Sequence, residues 1–432
     1  MKWAVVGAGS AGCVVARRLI DAGQQVTLIE AGPPLPPGGV PSSIDGSDAL
    51  AALAEPGRTH TGLLARRSRA SEPAPYWRGR GVGGSSAVHG MVARWGSADQ
   101  QRAWGWHDAD ELRSRVLVPT EEPEVSELGR LDRLLLATRP DAAVRPLTRR
   151  FGRRVTSAEA YLWPVLDRIE LVTGAVVDRV ALDNDGAAIG VVLADGSEVR
   201  ADRVVLCAGA IHTPPILLRS GIVNEVGEHL TDHPAAGIVL QLRDAAAAGG
   251  LVTATTAERD QVQVTPLNHL GPGADANLAM LSIALLQPHG SAGSVRLATD
   301  DPHDHPVVDL GLLADQRDLA DLAAAVRATL VELTEGPLVD AVDAAFIDDA
   351  GTTTAVLADD EVLERWLLDA ASGYVHAACS CRGAVDETGH VRSHDALAIA
   401  DASIFPEIPD ANLHLPTTVL AEHFVSVWLD SL

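Results

Sequence analysis

Apolar and polar positions fall into short blocks at the start of the chain. Residues 3–6 are an apolar run ending at Gly7, the pattern of a buried parallel strand. Residues 13–22 carry Val14, Val15, Leu19 and Ile20, enough apolar surface for one helix face, and Gly23 stands where a helix-ending glycine belongs. Residues 25–30 read as a second strand. The three together predict a βαβ unit.

Further along, residues 32–80 are rich in Pro, Gly, Ser and Arg and read as loops with short helices, such as 49–54. A Gly/Ser cluster follows at 79–86. Strands are predicted at 169–172, 176–182, 190–193 and 203–207, with Asp195-Gly196 as a hairpin turn. Residues 237–242 and 261–264 read as strands within a mixed region that runs to about 313. Residues 317–333 form a strong amphipathic pattern. An apolar strand at 396–400 and a helix at 417–429 complete the series. The Ala/Gly run at 245–250 reads as a flexible loop, and no internal repeat is present.

Composition narrows the chemistry. A chain of 432 residues predicts two domains. With 3% aromatics, the interior must be built from Ala, Val, Leu and Ile. A net charge of −24 excludes a nucleic-acid partner and argues against an anionic membrane surface. Lys2 is the sole lysine, which excludes a pyridoxal Schiff base and a P-loop. Cys13, Cys207, Cys379 and Cys381 are too few and too scattered for a disulfide framework, and the last two lack CxxC spacing. With no signal-peptide pattern before the first strand and no apolar run of transmembrane length, a reduced, cytoplasmic protein is expected.

Gly7-Ala8-Gly9-Ser10-Ala11-Gly12 is a GxGxxG between strand and helix. Gly7 permits the tight turn, Gly9 lets a pyrophosphate approach the helix N-terminus, and Gly12 lets helix and strand pack closely. Glu30 ends the second strand, where a carboxylate accepts from a ribose diol and repels a 2′-phosphate. An adenosine diphosphate group is therefore expected. This geometry alone does not separate FAD from NAD. The second glycine segment and the late strand point to the longer cofactor.

Several segments resemble the glucose–methanol–choline (GMC) family of FAD-dependent oxidoreductases. Residues 80–87 (Arg-Gly-Val-Gly-Gly-Ser-Ser-Ala) resemble its first signature and residues 207–222 its second. Residues 226–234 follow as its VGxxLxDHP, and 293–297 with 306–309 resemble its substrate domain. Residues 374–382 resemble its YHxxGTCR, 401–406 its DASxxP, and 412–417 the stretch that holds its second catalytic residue, three positions before a threonine. The likeness spans the chain. Compact size and altered motifs also give a faint similarity to the mycofactocin-associated branch.

The resemblance implies an α/β protein: a Rossmann-type FAD-binding domain with a mixed-sheet, α+β substrate-binding domain. The expected FAD-binding segments are 1–115, 165–235 and 385–432, and the substrate segments 116–164 and 236–384. It implies an alcohol oxidation at CH–OH, with hydride transfer to flavin N5 and proton removal by histidine. His376 and His414 are the expected catalytic pair, since an imidazole near its ordinary pKa can take the hydroxyl proton. His376 is assigned as base by family analogy. Gly7, Gly9, Ser10, Gly12, Glu30, Gly83, Gly84, Ser85, His89, Val177, Asp401 and Ala402 are the expected cofactor contacts, Val177 by its backbone toward adenine. His89 stands where the family usually has Asn, and the flavin-linking histidine position is Val88 here, so noncovalent FAD is expected. Cys379 replaces the usual glycine before Ser380. No metal is expected. The alternatives are a hydroxynitrile lyase that keeps FAD structurally, a non-catalytic flavin-binding protein, and a dehydrogenase of a peptide-derived redox cofactor. Substrate identity beyond a small-molecule alcohol, the electron acceptor (oxygen or another carrier) and the oligomeric state stay open.

Overall fold

The computed structural model describes residues 1–106, 109–244, 250–336 and 338–431. The Ala/Gly run expected as a loop lies, apart from Gly250, outside the described residues. The chain opens with β1 (Lys2–Val6), α1 (Ser10–Asp21) and β2 (Gln25–Glu30). Helix α1 begins three residues before the apolar periodicity does. Its first turn is small residues, buried because the helix presses on β1. A Cβ on Gly12 would sit 1.8 Å from the Gly7 carbonyl oxygen, so only glycine permits this approach.

Next come β3 (Glu170–Thr173), β4 (Arg203–Leu206) and α2 (Gly209–Arg219). Helix α2 contains Pro214 and Pro215, and proline cannot donate to the carbonyl four residues back. The Ala210 carbonyl freed by Pro214 accepts instead from the Ser380 hydroxyl at 2.6 Å. An apparent helix breaker is thus tolerated because a distant side chain satisfies the orphan acceptor.

The second half supplies β5 (Pro234–Leu242), β6 (Leu278–Leu285), α3 (Gln316–Thr334), α4 (Asp360–Ala370), β7 (Leu397–Ile399) and α5 (His414–Asp430). Helix α5 also starts three residues before its expected boundary. Pro416 lies in its first turn, where the missing N–H costs nothing.

Two large sheets organise these elements. A parallel sheet runs β7-β4-β1-β2-β3, with Val5 paired to both Leu28 and Val205 and Val205 to Ala398. Its core includes Trp3, Val5, Leu28, Val205 and Ile399, covered by α1 and α5. Trp3 stacks on Trp428 of α5, and Arg18 of α1 makes a two-pronged ion pair with the buried Glu422, both contacts at 2.8 Å. The second sheet pairs antiparallel throughout, with β5 between Val342–Phe346 and β6, then Val262–Leu267, Thr255–Arg259 and Ala142–Val144. Helices α3 and α4 pack behind it over Leu240, Leu281, Leu322 and Leu363. Mixed pairing occurs in a smaller sheet, where Val307–Asp309 runs parallel to Leu64–Arg66 and antiparallel to Ser294–Arg296. The hairpin signalled by Asp195-Gly196 joins Ala188–Leu193 to Glu198–Arg200.

Candidate active site

At the carboxyl ends of β1 and β2, two glycine segments meet backbone to backbone. The Gly83 N–H donates to the Ala8 carbonyl at 2.8 Å, and a Cβ on Gly84 would lie 2.7 Å from the Gly9 Cα. Beside Gly9 there is open space: a Cβ there would meet nothing nearer than 3.9 Å. Ser85 Oγ accepts from the Gly79 N–H at 3.1 Å and holds the second segment in its turn.

Glu30 is buried under this junction. One carboxylate oxygen accepts from the Ala8 N–H at 2.9 Å, the other from Gly32 and Gly81 at 2.8 and 3.0 Å. The residue expected to meet a ribose therefore also ties both glycine segments together. Val177 opens the strand Val177–Leu182 nearby, since the Ala175 N–H donates to the Glu30 carbonyl at 3.0 Å. Asp401 follows β7. Its side chain accepts from Ser403, Gly209 and Thr213 at 2.8, 2.9 and 2.6 Å, which caps the short turn Ala402–Ile404 and anchors α2. Only the backbone of Asp401 and Ala402 is left to serve a ligand.

The histidines converge from four distant segments. His376 follows Ser372–Gly373, which pairs with β5, and its N–H donates to Asp232 at 2.9 Å. Asp232 also accepts from the N–H groups of His233 and Tyr374 and from the Tyr76 hydroxyl, at 2.8, 3.1 and 2.7 Å. Burial pushes its carboxyl up to about 6 despite these donors. The His376 Nδ1 lies 3.0 Å from His233 Nδ1, and His233 Nε2 lies 3.0 Å from the Pro409 carbonyl oxygen.

Those two contacts set the tautomers. A carbonyl only accepts, so His233 carries its proton on Nε2. Burial holds His233 down to about 4, so near pH 7 its ring is neutral and Nδ1 is bare. His376 must then donate from Nδ1, which leaves its Nε2 lone pair free. Burial, followed by His233 and Arg78, also keeps His376 neutral.

His414 begins α5. Its Nδ1 lies 3.0 Å from Ser10 Oγ, a contact across 404 residues that joins an expected cofactor contact to an expected catalytic residue. The His89 ring packs edge-on at 4.7 Å from it. His89 Nδ1 faces the Met91 N–H at 3.1 Å and the Arg154 guanidinium at 3.0 Å, both donors, so its proton sits on Nε2. Burial and then Arg154 hold His414 down to about 4; His89 falls well below its usual value through burial, His414 and Arg154.

Four buried polar atoms near this junction have no partner among the described residues: His89 Nε2, His414 Nε2, Asn412 Oδ1 and Arg154 Nη2. With the open backbone at Gly9, they fit a flavin adenine dinucleotide, whose ring edge carries both donors and acceptors. The residues therefore fit the expected group. His233 and Asp232 were overlooked as site residues in the sequence. The DHP motif carried them, but nothing in a sequence shows that an imidazole orients another imidazole.

An N-terminal GMC oxidoreductase model matches residues 138–235 and a C-terminal one residues 288–421, together more than half of the chain. The oxygen-dependent choline dehydrogenase of Paraburkholderia phytofirmans is 27% identical over 97% of this chain and 92% of its own length. That alignment runs over 536 residues, so the relative carries insertions absent here. The 5-(hydroxymethyl)furfural oxidase of a Methylovorus species is 28% identical, with 97% of each chain covered. Among solved structures, pyridoxine 4-oxidase from Mesorbium loti superposes with a TM-score of 0.86 at 23% identity, covering 99% of both chains. Its likeness concerns the fold.

Proposed function

The chain belongs to the GMC oxidoreductases, a family of FAD-dependent enzymes, and on that premise we propose that it oxidises the CH–OH group of a small alcohol with His376 as base and His414 as the group that holds the alcohol oxygen. Bound FAD supplies the acceptor for the hydride that leaves the alcohol carbon. The protein supplies position, proton handling and exclusion of water. The reading divides the chain into FAD-binding segments 1–115, 165–235 and 385–432 and substrate segments 116–164 and 236–384. Noncovalent attachment fits a buried Val88 at the position of the family's linking histidine.

The observation that carries the assignment is the chain from the Pro409 carbonyl through His233 to His376, which leaves a bare Nε2 on His376. That lone pair takes the hydroxyl proton. On this reading the Ser10 hydroxyl, 3.0 Å from His414 Nδ1, is the donor of that pair; His414 then carries its proton on Nε2 and donates it to the alcohol oxygen. Arg154 is a buried cation whose pKa burial lowers only to about 9, so it stays charged and favours the alkoxide as it forms. Gly7, Gly9, Gly12, Gly83, Gly84 and Ser85 form the floor for the pyrophosphate, Glu30 and Val177 the adenosine end, and His89, Asp401 and Ala402 the flavin end.

The test is an anaerobic visible spectrum of the purified protein before and after primary and secondary alcohols. Bleaching of the flavin bands by one alcohol class is the expected result and names the substrate type. Recovery on admitting air marks oxygen as acceptor. Bands that no alcohol bleaches would move the chain to lyase chemistry, and their absence after reconstitution with FAD would overturn the proposal.

A further inference from the structure

A second group of histidines lies outside this machinery. His60 precedes the strand Leu64–Arg66, His212 stands in the first turn of α2, and His305 precedes the strand Val307–Asp309. One ring nitrogen from each lies within 4.8 Å of the others. We propose that His60, His212 and His305 bind a borderline first-row divalent cation, zinc being the model, through three imidazole nitrogens with water completing the shell.

The chemistry of the donors selects the ion. Three imidazoles without a carboxylate suit zinc, cobalt, nickel or copper and exclude calcium and magnesium, which require oxygen ligands. One ligand is already oriented. His305 Nε2 lies 2.8 Å from the Thr61 carbonyl oxygen, so it donates there and leaves Nδ1 bare, the arrangement by which a backbone carbonyl fixes a ligating histidine. A second is unspent: His212 Nε2 is buried and has no partner.

The rings are close to ligating geometry without having reached it. His60 stacks on His212 at 4.1 Å and meets His305 edge-on at 6.0 Å. Zinc–nitrogen bonds of about 2.1 Å in a tetrahedron place nitrogens about 3.4 Å apart, so binding draws the rings together and turns one out of the stack. Arg78, Arg80 and Arg219 are nearby cations, and Arg219 is paired with Asp178 at 2.9 Å. The guanidinium groups of Arg78 and Arg80 donate to the carbonyls of Val375 and Ala31. A bound ion would staple the loop at His60, helix α2 and the smaller mixed sheet at one point.

The experiment uses the FAD-loaded protein, stripped with chelator and titrated with Co(II) by visible absorption and with Zn(II) by calorimetry. One equivalent bound, with the intense cobalt bands of a low-coordinate nitrogen site, is expected. His60→Ala and His305→Gln should each weaken binding by more than about a hundredfold, beyond a second-shell loss. His303→Ala, an exposed neighbour outside the cluster, should leave it unchanged. Thermal melting and the flavin spectrum confirm that each variant is folded. No stoichiometric binding at micromolar metal, or binding that survives both cluster substitutions, overturns the proposal. Flavin reduction by alcohol should be the same with and without metal, so failure here is separable from failure of the alcohol-oxidation reading.

Discussion

The two ends of the proposed site, one for the nucleotide and one for the reaction, are built in opposite ways. At the nucleotide end the contacts are backbone to backbone: Gly83 on Ala8, Gly84 against Gly9, and a Glu30 carboxylate filled by three amides. Its shape depends on absent side chains. At the proposed reaction end, four side chains from residues 89, 233, 376 and 414 assemble: His233 is held at both ring nitrogens, while His376, His89 and His414 are each held at Nδ1 and keep Nε2. The contrast teaches that binding is secured by satisfaction and chemistry by deliberate incompletion. A fully hydrogen-bonded imidazole could not take a proton.

The largest effect should come from closing the nucleotide end. Gly12→Ala puts a Cβ 1.8 Å from the Gly7 carbonyl oxygen, so the variant should purify without flavin bands; normal FAD content in it would break the account of that end. Next, His376→Ala should slow anaerobic flavin reduction by about a thousandfold, within the range for loss of a general base, while FAD content stays normal. If His414→Ala proves the more damaging of the two, the roles are reversed.

A third expectation concerns pH and falls on buried imidazoles, most of them at the reaction end. His233 and His414 have folded pKa values of about 4, below their ordinary value near 6.5. The unfolded chain then binds more protons between pH 4 and 6.5, so each group's contribution is present above 6.5 and lost as pH falls through 4. Each is worth about 3 kcal/mol, and Asp232, raised to about 6, opposes with one similar increment that is lost as pH rises through 6. Burial depresses His89, His376, His60 and His212 in the same direction, so apoprotein melts should show stability rising steadily from pH 4 to 6.5; a flat profile would mean that these imidazoles are not buried as described. The smallest effect is at Cys379, a buried residue with φ +69°. Cys379→Gly should relieve about 1 kcal/mol of left-handed strain and lose a similar amount through burial and unfolded-chain freedom, leaving stability within about 1 kcal/mol of the parent by denaturant titration.

Much of this was legible in the sequence for physical reasons. The first βαβ unit combines apolar periodicity, glycine spacing and a terminal acid, and all three signals agree. His376 and His414 sit in motifs whose order along the chain is preserved. What escaped was what depends on long-range satisfaction. Helix α2 was not anticipated, and with Pro214 and Pro215 inside it stands because Ser380 occupies the freed Ala210 carbonyl. The strand β6 is an apolar run that periodicity cannot tell from a helix. The role of His233 depends on a carbonyl at Pro409, 176 residues away, and backbone acceptors leave no mark on sequence.

The 404-residue contact between Ser10 and His414 has a consequence during synthesis. The strands flanking β1 are made in the order β2, β4, and then β7 beyond β4. On a ribosome adding about 5–20 residues per second, β1 waits tens of seconds for β4, and Ser10 waits longer still for His414. During that interval the apolar edge of β1 is open to any other nascent strand. This strand order therefore asks that the open edge of β1 be shielded until β4 emerges, a demand set by translation speed and independent of final stability.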